Sequence, residues 1–431
     1  MTVFEAGPLR GEVRVAGDKS ISHRALMFAA VARGTTRVEH PNRGADVLTT
    51  RDAVAALGAR VDDRGETIEI TSTGLHNPSH TIDAANSGTT SRLMMGLCAG
   101  QGLTVTFDGD ASLRRRPMER IARPLRAMGI AVETNNGKLP VTVHGIDDLP
   151  GGEFALEMPS AQVKSAILLA NLRARGPVRV TGDASSRDHT ERMLRHFGRM
   201  IVFDGKTIVL EPGELTAQRV RVPADISAAA FFMVAAAITP ESDVLLRDVG
   251  VNSTRTGILD ILQAMGAAIT LRNRRDVDGE PVADISVRYG ELHATTIDGD
   301  LVVRAIDEIP IAAVAAAHAG GTTRIRDAAD LRAKESDRLS AMAKTLRACG
   351  IEVTEHDDGL DVTGGSAQPP EATLESFDDH RIAMAIAAMA APTGPHAVDE
   401  AACVAISYPD FERDWRGLQR PGTHAGISPA H

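Results

Sequence analysis

Apolar residues along the chain fall into two alternating kinds of segment. In the first the run is apolar nearly all the way round a helix, as in Ala25-Leu26-Met27-Phe28-Ala29-Ala30-Val31-Ala32, Ala166-Ile167-Leu168-Leu169-Ala170, Ala228 to Ile238, Ile309 to Ala319 and Ile382 to Met389. A helix without a polar face belongs in a domain interior. In the second, apolar and polar residues share a helical period. Pro117 to Met128 is an example, and it predicts an amphipathic helix on the outside or along an edge. Between them stand short β-branched strands: Gly34-Thr35-Thr36-Arg37-Val38, Gly102-Leu103-Thr104-Val105, Gly176-Pro177-Val178-Arg179-Val180, Asp243-Val244-Leu245-Leu246, Gly321-Thr322-Thr323-Arg324-Ile325 and Gly394-Pro395-His396-Ala397-Val398.

These strand openings recur roughly 70 residues apart, too long a period for a solenoid. Five units close with a second glycine turn and strand, such as Leu57-Gly58-Ala59-Arg60-Val61 or Cys349-Gly350-Ile351-Glu352-Val353, and the sixth lacks this closure. Each unit is a small α/β layer, and six layers predict two pseudo-equivalent domains of three units. The expected domains are 15–223, and 1–14 together with 224–418. Arg219 to Asp225 forms the link, and the segment before Gly17 supplies the strand missing from the sixth unit. Residues 419–431, with no periodicity, are expected to form a disordered tail.

Composition narrows the class. With 431 residues, 43% hydrophobic and 24% charged, the chain reads as a soluble globular protein with two or three cores. A net charge of −10 argues against sequence-independent nucleic-acid binding, which needs a basic surface. Cys98, Cys349 and Cys403 lack metal-ligand spacing and fit a reducing cytoplasm. The first residues carry no secretory pattern, and no apolar run is long enough for a bilayer span.

Candidate chemistry gathers where the repeated helices begin, and there unpaired N–H groups favour anions. Gly17-Asp18-Lys19-Ser20-Ile21-Ser22-His23-Arg24 places Ser20 and Arg24 on one helical face beside Lys19. In Asn86-Ser87-Gly88-Thr89-Thr90-Ser91-Arg92, Gly88 lets a ligand approach the backbone among the surrounding hydroxyls. Arg114-Arg115-Arg116 stands before Pro117, a residue suited to a first helical position, so three cations are expected at an already positive helix start. Ser160-Ala161-Gln162 and Ser186-Arg187-Asp188-His189-Thr190-Glu191, each taken alone, read more often as capping chemistry. Further on come Asp307-Glu308, then Arg332-Ala333-Lys334-Glu335-Ser336-Asp337-Arg338, where Lys334 and Arg338 are expected on one helical face with Glu335 paired to Arg338. Last is Asp379-His380-Arg381, with Asp379 as a cap. Together they predict a small polyanionic ligand gripped between two domains at their helix N-termini.

In this order and across almost the whole chain, these motifs resemble the signature set of the 5-enolpyruvylshikimate-3-phosphate synthase family, in its bacterial class II form. The resemblance implies an inside-out barrel fold of two domains, each of three βαβαββ units. It implies transfer of the enolpyruvyl group of phosphoenolpyruvate to the 5-hydroxyl of shikimate 3-phosphate through a tetrahedral intermediate, with no metal or organic cofactor. By position, Lys19, Ser20, Arg24, Ser160, Ala161, Gln162, Arg187, Asp307 and Lys334 would hold shikimate 3-phosphate. Lys19, Gly88, Arg116, Gln162, Arg338 and Arg381 would hold phosphoenolpyruvate. Asp307, Glu335, Lys334 and Lys19 would be catalytic. Gly88 keeps the small residue associated in the family with inhibition by glyphosate, and a cytoplasmic monomer is expected. Ile406 falls where some members place a phosphate-contacting lysine, and Pro159 and Ser253 also depart from the usual residues.

Three rivals follow. The sister transferase acting on UDP-N-acetylglucosamine normally carries a cysteine in the loop read here as Gly109 to Arg116. A paralogue would use another hydroxylated ring. A non-catalytic relative would be expected to lose Asp307, Lys334 or Glu335.

Overall fold

The structure is a computed structural model that describes residues 1–183, 186–204 and 206–420. Six apolar segments form the helices Lys19–Val31, Gly88–Ala99, Ala161–Ala170, Ile226–Ile238, Ile309–Ala317 and His380–Thr393. They are interior for the reason the pattern suggests: every residue of Ile226–Ile238 and of Ile309–Ala317 is buried. Their ends are set by short polar side chains. Asp18, Ser87, Ser160, Asp225 and Asp379 each accept a backbone N–H of the first turn.

The chain divides into two compact units. One holds Gly17–Pro223 with Asp276–Glu280, the other Met1–Ala16, Ala224–Arg275 and Pro281 onward. The boundary falls after Ala16, two residues later than the sequence suggests. Val15 belongs to the core of the second unit, and the Asp225 N–H donates to the Ala16 carbonyl at 2.9 Å. The excursion Asp276–Glu280 is the tip of a hairpin whose Asp278-Gly279 turn has φ of 55° and 89°, as a two-residue type I′ turn requires.

Among the described residues, the first unit contains three four-stranded sheets of one design. A leading strand lies parallel to the next across an inner helix, and an antiparallel pair completes the sheet. Thus Ile82–Asp83 runs parallel to Thr104–Asp108, which pairs with Lys138–His144, and that strand in turn with Ala131–Asn135. Arg219–Arg221 leads the sheet of Thr35–Glu39. In the second unit the N-terminal residues serve twice: Arg10–Val13 leads the sheet of Asp243–Gly250, and Thr2–Phe4 pairs antiparallel with His396–Val398.

Inside the first unit the helices Gly88–Ala99 and Ala161–Ala170 meet backbone to backbone. A β-carbon at Gly96 would lie 2.3 Å from the Ala166 carbonyl oxygen, and one at Gly100 only 1.8 Å from that of Ala170. Gly100→Ala is therefore expected to force the helices apart at a cost of about 1–3 kcal/mol, as overpacking does. Urea denaturation reads this directly, and an unchanged midpoint would contradict the contact.

The second unit is closed by Phe4, Phe231, Phe232, Tyr408, Phe411 and Trp415, whose rings meet edge to face or tilted. The helix Phe411–Gln419 supplies two of them, and Gln419 donates to the Glu5 carbonyl at 2.8 Å. Gln419 is thus helical and no part of the expected tail, and residues 421–431 lie outside the described ones. No helix among the described residues is long and apolar enough to cross a membrane.

Candidate functional site

In the first unit the predicted residues stand at the starts of the three inner helices. Asp18 caps Lys19–Val31, and Lys19 pairs with Asp46 at 2.9 Å. Arg24, expected to face a ligand, is 3% exposed. Its Nε donates to Thr190 Oγ1 at 2.7 Å, and its terminal nitrogens donate to Ser165 Oγ at 2.9 Å and the Ser20 carbonyl at 3.0 Å. Arg24 therefore ties three helices together and fixes the backbone of Ser20. Beside it, burial pushes His23 well below the usual histidine range, and the charges of Lys19 and Arg24 add to the effect. Neutral His23 can then share a hydrogen bond with Thr50, 2.6 Å away.

Around Gly88 the side chains form a second group. Ser87 caps this helix, and Thr90 bonds to both Ser87 and Thr50. Arg116 donates to Asn86 Oδ1 at 2.7 Å. Arg92, which motif matching did not select, donates to Gln162 Oε1 at 3.0 Å and the Pro117 carbonyl at 3.1 Å. A β-carbon at Gly88 would sit 3.1 Å from the Arg92 guanidinium, which must then give by a few tenths of an ångström, and at ordinary contact distance, 3.5 Å, from that of Arg116. Ser160 and Ala161 begin the third helix beside Gln162. Arg187 is part-buried in the turn between Ser186 and Asp188.

The three consecutive arginines correct the sequence reading. Arg114 and Arg115 lie in the last turn of Ala111–Arg115, Arg116 is its C-cap, and the next helix starts only at Glu119. Cations at a helix C-terminus are favoured by its unpaired carbonyls, so the run needs no anion to explain it. Arg114 pairs with Asp108, and of the three only Arg116 is buried.

In the second unit one guanidinium organises the predicted residues. Arg338, 1% exposed, donates through Nε to Asp379 Oδ2 at 2.8 Å and through a terminal nitrogen to Glu335 Oε2 at 2.7 Å, and it reaches Asp307 Oδ1 at 3.5 Å. Burial would lower its pKa, but Asp379 and Glu335 outweigh that and hold the proton more tightly than usual. Burial would likewise raise Asp379, but the Arg338 charge holds it below the carboxylate range. Arg381 donates to the Asp307 carbonyl at 3.0 Å, with its other terminal nitrogen 3.8 Å from Asp307 Oδ2. Lys334 is not on a helix with Arg338. A 3-10 turn ends at Ala333, Lys334 is extended, and the helix Arg338–Ala348 begins after the Asp337 cap. The break lets Lys334, Glu335 and Arg338 approach one another from different directions.

Burial pushes the Lys334 ammonium below the usual lysine range, and the charge of Asp307 holds it partly up. Affinity for an anion at Lys334 is then expected to fall as pH rises through this lowered pKa, because the neutral amine attracts no phosphate. Lys334→Arg keeps its charge over that range and is expected to move the fall to higher pH. Phosphate binding followed by calorimetry between pH 7 and 10 checks this, and identical profiles would remove Lys334 as the titrating group. Sequence reading also passed over Asp46, and named Glu308 beside Asp307 without giving it a role. Asp46 shows only through its contact with Lys19. Glu308, 0% exposed, lies 4.0 Å from Arg381. Among the described residues, no group of three or more His, Cys, Asp or Glu is placed to hold a metal ion.

Comparison with known proteins supplies the context for these groups. A family model described as EPSP synthase (3-phosphoshikimate 1-carboxyvinyltransferase) matches residues 3–415. A protein of Geobacter sp. (strain M21) named 3-phosphoshikimate 1-carboxyvinyltransferase is 48% identical over 95% of this chain and 97% of its own length. One from Synechococcus elongatus with the same name is 50% identical over 94% of this chain and 92% of its own. Among solved structures, EPSP synthase from Acinetobacter baumannii is similar with a TM-score of 0.85 and 42% identity, covering 97% of this chain and 98% of that one. The enolpyruvyl transferase NikO from Streptomyces tendae shares the fold, with a TM-score of 0.77 at 20% identity over 96% of each chain.

Proposed function

This chain belongs to the EPSP synthase family, and from that premise we propose how its residues divide the work. The reaction is transfer of the enolpyruvyl group of phosphoenolpyruvate to the 5-hydroxyl of shikimate 3-phosphate, with release of phosphate, in aromatic amino acid biosynthesis. Shikimate 3-phosphate is held by Lys19, Ser20, Arg24, Ser160, Ala161, Gln162, Arg187, Asp307 and Lys334. Phosphoenolpyruvate is held by Lys19, Gly88, Arg116, Gln162, Arg338 and Arg381. Arg24 also acts through Ser20, whose carbonyl it holds.

The observation that carries the catalytic assignment is the sharing of Arg338 by Asp307 and Glu335, two carboxylates around one charge that does not titrate. Asp307 takes the proton of the 5-hydroxyl as its oxygen bonds to C2 of phosphoenolpyruvate. Glu335, next to Lys334, delivers a proton to C3, which completes a tetrahedral intermediate. The C2–O bond to phosphate then breaks as Glu335 recovers a proton from the methyl group, restoring the double bond, and the proton held by Asp307 leaves with the phosphate. Lys19, Lys334 and the arginines stabilise the charge on the departing phosphate. Phosphate release from phosphoenolpyruvate with shikimate 3-phosphate, set against UDP-N-acetylglucosamine or another hydroxylated ring, tests the acceptor. Turnover with the nucleotide sugar alone would overturn it.

Glyphosate is proposed to compete with phosphoenolpyruvate. The support is Gly88, where even a methyl group would press on Arg92 and touch Arg116. The expected result is a glyphosate-dependent rise in KM for phosphoenolpyruvate at constant kcat, weakened in Gly88→Ala. A rate unchanged at saturating inhibitor would contradict it. A cytoplasmic monomer fits three free thiols, two buried and one part-buried, with burial pushing Cys349 up to about 11 and Cys403 to about 12. Light scattering in solution reads the oligomeric state.

A further inference from the structure

Lys164 is 0% exposed and lies two residues beyond Gln162 on the helix Ala161–Ala170. Its ammonium donates to the Ser186 carbonyl at 2.6 Å, pairs with Glu191 Oε1 at 2.7 Å, and stands 5.4 Å from the centre of the Phe203 ring. Glu191 is itself buried, in the helix His189–His196 that follows the turn at Arg187. A buried ion pair is an expensive way to join two helices. Apolar residues of similar volume do as well or better for stability. What they cannot do is donate to a carbonyl.

We propose that Lys164 is a positioning residue for shikimate 3-phosphate, acting by fixing the turn that carries Arg187. The turn is pinned on both sides. Lys164 holds Ser186, and Arg192 Nε holds the Asp188 carboxylate at 2.9 Å to each oxygen. Arg187 stands between these two anchored residues. The same lysine belongs to the helix whose first residues are Ser160, Ala161 and Gln162, so one side chain sets the distance between two groups of ligand contacts. The inference rests on Arg187 as a shikimate 3-phosphate contact.

The test separates positioning from simple structural support. Lys164→Met leaves Glu191 buried without its partner and is expected to lower the melting temperature. Lys164→Met/Glu191→Leu removes both charges and is expected to recover most of it. In that double variant the KM for shikimate 3-phosphate is expected to remain raised about tenfold. The KM for phosphoenolpyruvate and kcat are expected to change less than about threefold, the remainder left by a contact that acts on one ligand only. Arg187→Ala alone is expected to raise the same KM, and adding the double substitution to it is expected to bring little more, because both act through one residue. A double variant with recovered melting temperature and wild-type KM for shikimate 3-phosphate, beside an impaired Arg187→Ala, would overturn the role of Lys164. An unimpaired Arg187→Ala would instead overturn the assignment of Arg187, and the inference with it.

Discussion

Glu335→Gln is expected to lower kcat by about 10²–10⁴, the usual contribution of a positioned acid or base, with both KM values within a few-fold of wild type. The substitution keeps the size of the side chain and an oxygen to accept the hydrogen bond from Arg338, which Glu335 accepts at 2.7 Å. What it removes is the capacity to carry a proton. If Glu335 protonates C3 and later deprotonates the methyl group, both chemical steps fail together while ground-state binding survives. Steady-state phosphate release gives kcat and KM, and calorimetric titration with shikimate 3-phosphate gives binding without turnover. Wild-type turnover would remove Glu335 from the mechanism. A large loss of binding would make it a structural partner of Arg338.

Arg338→Met is expected to be more damaging still, because stability and activity fall together. The guanidinium is fully enclosed and satisfies Asp379, Glu335 and Asp307. Its removal strands the buried Asp379 and leaves the part-buried Glu335 and Asp307 without their cation, and breaking one partner of a buried pair costs about 3–5 kcal/mol. Asp379 suffers most. It is 0% exposed and also caps His380–Thr393 by accepting the Arg381 N–H at 2.9 Å. Asp379→Asn in the Arg338→Met background is expected to return part of the stability, since the amide oxygen can still cap the helix without a charge. It is not expected to return phosphoenolpyruvate turnover, because no cation is restored. Denaturant midpoints and phosphate release on the four proteins of this cycle decide the matter. A stable, active Arg338→Met would contradict both roles.

Parts of this site were legible before any coordinates. Asp379 as a cap and apolar helices behind Lys19, Gln162 and Arg381 follow from spacing along one helix, and Glu335 pairs with Arg338 three residues on although the helix begins only at Arg338. Other parts were misread where a local signal had two explanations. Arg114-Arg115-Arg116-Pro117 looks like a helix start, but a five-residue helix ends there instead, and basic residues suit either reading of the chain. Lys334 and Arg338 have helical spacing, yet the backbone becomes extended at Lys334. Two of the contacts that hold Arg24 left no local signal at all, since the partners there, Thr190 and Ser165, lie 166 and 141 positions away. Arg92 with Gln162 is the same case over 70 positions.

By itself the sequence determined the six α/β layers, the interior helices and the polar caps that begin them. These depend on periodicity and on hydrogen bonds spanning a few residues, so the chain carries them wherever it folds. Only the tertiary structure decided which charges are joined: Lys19 to Asp46, Arg92 to Gln162, Lys164 to Glu191 and to the Ser186 carbonyl, and Arg338 to Asp307 and Asp379. A buried charge must find an opposite charge or a carbonyl close by. Which one it finds is set by the packing of separate helices, and no local pattern records that.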